Sequence, residues 1–235
     1  GSCANPNEQV AQGSWTAIRS LVRTPPPGIE PVRLFMHLGD SFYFYDHMTE
    51  EVVRNEETMH AAHVSMRRHL EFLRLARTVP CCGVWDDHDF ASDDTASTDI
   101  STELRSLAVD TWRRYWGNRQ PVSTRHDHGL TTRISHGLVD VYLLDGRFNR
   151  NKGEGICFGG DMIEDLLRTI ANRSRRQARV VVLATGSSWT NLLDDDTACL
   201  LELVRGGRRR HVDGLIDHVL ELGEVQGPVV DGARQ

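Results

Sequence analysis

The stretch Trp85-Asp86-Asp87-His88-Asp89-Phe90-Ala91 constrains this chain more than any other. A short apolar run over 79–85 passes straight into three aspartates and a histidine, with no turn residue between. A buried strand that ends in ionisable groups delivers them to a site, because isolated charges are too costly to keep buried.

Three further apolar runs end in the same manner. Residues 32–38 lead into Gly39-Asp40-Ser41-Phe42-Tyr43, 138–144 into Asp145-Gly146-Arg147, and 180–184 into Thr185-Gly186-Ser187-Ser188-Trp189. Apolar spacing predicts helices over 14–23, 49–77, 102–116, 161–173 and 211–222, with Thr49 able to cap the second. Residues 130–135 and 138–144 alternate like a hairpin about His136-Gly137, and 228–230 begin a further strand. Strands alternating with helices predict an α/β fold with ligands at the carboxyl ends of the strands. With no repeat or low-complexity linker, one domain over 1–235 is expected.

Strands running in parallel would bring Asp40, Tyr43, Asp86, Asp87, His88, Asp145 and Arg147 to one edge. Clustered carboxylates stay ionised together only when cations hold them. Two metals bridged by one carboxylate can clamp a phosphoryl group and generate hydroxide near neutral pH. Taken singly, each acid is equally a turn former or a helix cap. Their repetition at the strand ends points to one metal-dependent phosphoesterase site.

Composition serves to exclude. None of the 235 residues lies in an apolar run of about 18, so no membrane-spanning helix is expected. A formal charge of -6 argues against a non-specific nucleic-acid groove but not against a phosphate substrate, since bound cations reverse the local sign. Lys152 is the only lysine, a bias that reads as codon usage, with bidentate arginine clamps left for one or two positions. The five cysteines, Cys3, Cys81, Cys82, Cys157 and Cys199, are odd in number and irregularly spaced, unlike a disulfide framework. His60 and His63 read as a solvated helix face, His126-Asp127-His128 as a surface turn, and Trp15, Phe42, Phe44 and Trp189 mostly as core. Ser187-Ser188 lack a nucleophile elbow.

Gly1-Ser2-Cys3, Gly39-Asp40-Ser41-Phe42-Tyr43, Trp85-Asp86-Asp87-His88-Asp89 and Leu144-Asp145-Gly146-Arg147 follow one another as in a known family. In these motifs the chain resembles the alkaline phosphatase D (PhoD-like) family of calcineurin-like metallophosphatases. The resemblance implies mixed β-sheet layers flanked by helices, an αββα-type sandwich, and metal-dependent hydrolysis of phosphoric mono- or diesters. It implies Cys3, Asp40 and Tyr43 as ligands of a ferric ion, with Asp40 bridging to calcium. Phenolate and thiolate are apt donors beside such an ion; other divalent metals are also admissible. By the same resemblance Asp87 takes the place of a metal-binding asparagine and His88 contacts phosphate. Asp86 is a further ligand or support, and Arg147 clamps phosphate or braces Asp145.

Two positions depart from the family pattern. Asp93-Asp94 stand where the family has asparagine, so Asp93 would bind calcium with a different site charge. Val230-Asp231-Gly232 stands in place of a Gly-Asp-x-His segment, which implies a chain cut short with its final strand missing. The expectation is a phosphoric ester hydrolase acting on a small phosphate ester. The alternatives are a non-catalytic fragment of such an enzyme and a calcium-binding acidic module. Exported relatives favour a periplasmic or extracellular location, while substrate and oligomeric state stay open.

Overall fold

The computed structural model describes residues 13–43, 55–116, 129–174 and 180–187. Strands β1 (Phe35–Leu38) and β2 (Cys81–Val84) pair in parallel, Phe35 opposite Cys81 and Leu38 opposite Val84. In a second sheet, β3 (Thr132–His136) runs antiparallel to β4 (Val139–Leu144), and β5 (Val180–Thr185) lies parallel to β4 on its other side. The helices are α1 (Gly13–Arg23), α2 (Glu56–Arg68), α3 (Leu70–Ala76), the single turn α4 (Asp87–Phe90), α5 (Thr102–Trp116) and α6 (Gly160–Ser174).

Strand β4 explains the layering. Its side chains alternate, so Val141 and Leu143 enter a core shared with Phe35 and Val84 of the first sheet and with Trp15, Met66, Phe72 and Trp112 from the helices. Tyr142 and Leu144 point the other way, onto Met162, Ile163, Leu166 and Ile170 of α6. A strand covered on both faces reads as an unbroken apolar run, as its second half, 141–144, does. Helices, two small sheets and a helix form the expected mixed α/β architecture.

The long helix expected over 49–77 is instead two. Asn55 caps α2 through its side chain and shares a capping box with Thr58, while Thr49 lies outside the described residues. His69 (φ -60, ψ 117) breaks the chain before α3. The buried positions 59, 62, 63 and 66 would continue to 70 and 73 on an unbroken helix, but Phe72 and Leu75 are the buried ones and Leu70 is exposed. The break resets the apolar phase. The helix expected over 211–222 and the strand at 228–230 lie outside the described residues, as do His126, Asp127, His128, Phe44 and Trp189.

Two side-chain expectations are corrected. His63 is not solvated: it is buried, stacked on Tyr115 at 4.7 Å and edge-on to Phe42 at 4.8 Å. Cys157 is disulfide-bonded, whereas Cys81 and Cys82 are free. On β1, His37 is fully buried between Trp15 and Trp116, and neither ring nitrogen has a hydrogen-bond partner among the described residues. Burial lowers its pKa to about 3, so it packs as a neutral aromatic.

Candidate metal centre

The carboxyl ends of β1, β2, β4 and β5 meet, although β3 runs against its neighbour. Gly39 turns the chain out of β1 at φ +78, and a Cβ there would lie 2.5 Å from the Asp86 Cβ. Gly186, beyond β5, has equally little room: its Cβ would fall 2.5 Å from the Trp85 carbonyl oxygen. Both positions need glycine because strand ends from the two sheets cross in contact. Side chains complete the junction. Trp85 Nε1 donates to Asp145 Oδ1 at 2.6 Å, and Ser187 Oγ donates to Asp86 Oδ1 at 2.9 Å.

Asp40, Asp87 and His88 each present one ligand atom within 4.8 Å of the others. Asp40 reaches this point from a left-handed backbone (φ 54), a conformation that costs a non-glycine residue about 1 kcal/mol. The Tyr43 hydroxyl donates to Asp40 Oδ2 at 2.8 Å, and its ring lies 4.2 Å from the His88 ring. His88 Nδ1 sits 3.1 Å from Asp87 Oδ1 and 3.5 Å from Asp40 Oδ1. Burial lowers the affinity of this imidazole for a proton, but bonding to the two carboxylates outweighs it and raises the pKa to about 10. The Asp87 carboxyl moves the other way. Its burial opposes ionisation, yet His88, the Arg147 guanidinium and the Asp94 N–H hold it well below the usual range. The site therefore already concentrates negative potential on a cation. Two hard carboxylates, an imidazole and an adjacent phenol are a donor set that suits a metal ion.

Asp86 stands outside this trio. It accepts 2.6 Å from Arg147 Nε as well as from Ser187, and its pKa is raised by burial despite the guanidinium. Arg147, itself buried, spreads one guanidinium over Asp86, over Asp94 at 3.3 Å and over Asp87 at 3.6 Å. Asp94 also takes a left-handed backbone (φ 46); its N–H donates to Asp87 Oδ2 at 2.7 Å, and its carboxylate receives Lys152 Nζ at 2.6 Å. Asp93 is exposed on the same loop and outside the trio, and Cys3 lies outside the described residues.

Asp145 is a scaffold. Its carboxylate accepts from Trp85 Nε1 and from the N–H groups of Arg147, Phe148 and Leu130 at 2.6 to 3.0 Å. Arg147 meets Asp145 through this backbone bond, and its side chain braces Asp86 instead. Asp89 acts similarly across the other sheet: it accepts the Ser41 N–H and hydroxyl and the Asp86 N–H, and burial raises its pKa to about 7. Asp89, Asp94, Ser41 and Ser187 carry the site's support, and spacing alone gave no sign of their individual parts. The one signal available was that each lies in a segment that follows an apolar run.

The sequence profile of the PhoD-like phosphatases matches residues 1–184. A solved structure titled "Structure of PhoD" aligns with 89% of this chain and 47% of its own, at a TM-score of 0.59 and 16% identity. That likeness concerns the fold, and the chain spans about half the length of that solved relative. No curated protein matches the chain.

Proposed function

The chain belongs to the PhoD-like phosphatase family, and on that premise we propose that its strand-end centre hydrolyses phosphoric esters with bound metal ions. The observation that carries this reading is the gathering of Asp40, Asp87 and His88 within 4.8 Å where the two sheets meet. Asp40 and Asp87 would hold the metals, with Tyr43 and Cys3 completing a ferric site and Asp93 serving calcium. Asp86 supports the cluster through Arg147. When bound, the ions would supply charge against the phosphoryl oxygens and acidify water.

The chain's own residues supply the rest. His88 stands beside Asp87 and Asp40, placed for its imidazole to meet a phosphoryl oxygen through a hydrogen bond. Arg147 faces both Asp86 at 2.6 Å and Asp87 at 3.6 Å, placed to neutralise charge that develops on the other oxygens as water attacks phosphorus in line. The substrate is a small phosphate ester. A disulfide at Cys157 supports an extracytoplasmic location, because such bonds persist in oxidising compartments.

The test is hydrolysis of bis(p-nitrophenyl) phosphate and p-nitrophenyl phosphate by the full chain, supplied with ferric iron and calcium. Turnover should fall at least about a hundredfold in Asp40→Ala. Undiminished activity in that variant would overturn the assignment.

A further inference from the structure

Beyond the metal trio, three cations converge on one carboxylate. Arg147 Nη1, Arg150 Nη2 and Lys152 Nζ lie 3.3, 3.6 and 2.6 Å from the Asp94 oxygens. All three come from the loop after β4, and the fold holds that loop in place. Asn151 and Ile156 exchange both backbone hydrogen bonds, Asn151 caps the turn Lys152–Glu154, and Ser97 donates its N–H and hydroxyl to the Arg150 carbonyl. Asp94 is pinned from the other side by its N–H on Asp87.

The exposures run in a telling order. The Arg147 and Arg150 side chains are 5% and 4% exposed, Lys152 33% and Asp94 53%. The acid is thus the outermost member, lying over two guanidiniums whose burial is costly unless anions meet them. Arg147 joins this cluster to the metal trio, since the same guanidinium also faces Asp86 and Asp87.

We propose that Arg150 and Lys152, linked to Arg147 through Asp94, form an anion subsite beside the metal centre. It takes a second phosphate or carboxylate carried on the substrate's leaving group, and Asp94 is the resident anion that such a group displaces. Assigning that group to a substrate rests on the phosphoester reading. The subsite itself rests on the three cations and their cap. It predicts preference for esters with an anionic leaving group over neutral ones.

Calorimetric titration of the full chain with pyrophosphate and with inorganic phosphate tests it. Asp94→Asn keeps a residue tolerant of the left-handed backbone and removes the competing charge. It should bind pyrophosphate about tenfold more tightly while phosphate changes less than about twofold. Adding Lys152→Gln should abolish the gain, and Lys152→Gln alone should weaken pyrophosphate binding. Glu154→Gln, an equal charge change at an exposed neighbour, should alter neither affinity. An unchanged ratio in Asp94→Asn, or the same gain in Glu154→Gln, would overturn the subsite. The readout is binding, so an inactive chain leaves the subsite measurable, and a failed subsite leaves hydrolysis standing.

Discussion

Asp40 is held where an aspartate is strained, and only its carboxylate justifies the position. Asp40→Gly relieves the left-handed backbone. We expect this variant to bind no metal, yet to melt in metal-free buffer no lower than the parent. A metal-free Tm clearly below the parent would make Asp40 structural instead. Tyr43 separates the ferric reading from a calcium-only module. Tyr43→Phe should abolish any visible phenolate-to-iron absorption of the iron-loaded chain while sparing calcium uptake, as followed by absorbance and equilibrium dialysis. Asp40, Asp87 and His88 were legible in the sequence because each ends or directly follows an apolar run. Roles were less legible than positions. Nothing in Leu144-Asp145-Gly146-Arg147 reveals that the acid faces N–H donors while the guanidinium turns to Asp86.

At the scale of elements, the end of β4 and the middle of β1 carry opposite tests. Asp145 satisfies four N–H donors from three segments, so Asp145→Asn strips its charge and turns an amide N–H toward at least one of them. A loss of about 3 kcal/mol is expected in urea unfolding; a change below about 0.5 kcal/mol would contradict the scaffold role. His37 on β1 should respond to pH. Its unfolded pKa is near 6.5 and its folded pKa about 3, so between those values only the unfolded chain takes up the proton. Its share of stability is complete above pH 6.5 and falls as pH drops, by about 1.4 kcal/mol per unit. His37→Phe keeps the stacking and removes this slope. Its advantage over the parent should grow by about 2.5 kcal/mol from pH 7 to pH 4.5. A constant difference would mean that His37 is not held neutral. The element types were legible from apolar period, but the break at His69 was not, because a phase reset inside a helical run shows only once the buried faces are known.

For the whole molecule, what matters is that two separate sheets contribute strand ends to one place. The sequence announced four such ends, and an α/β reading joined them on the assumption of parallel strands. The structure joins them by interlocking Gly39, Trp85, Asp86 and Gly186, with β3 antiparallel at the margin. Single-strand patterns cannot express that crossing, since it depends on contacts between residues up to 147 positions apart, Gly39 against Gly186. The disulfide at Cys157 was hidden for a related reason: an odd cysteine count says nothing about which pairs approach. The junction is proposed as a metal centre built on Asp40 and Asp87. Elemental analysis of the purified full chain, dialysed after loading with iron and calcium, tests it most directly beside the Asp40→Asn/Asp87→Asn double variant. At least about one tightly held metal ion per chain is expected in the parent and none in the double variant. Equal metal content in the two proteins would contradict it.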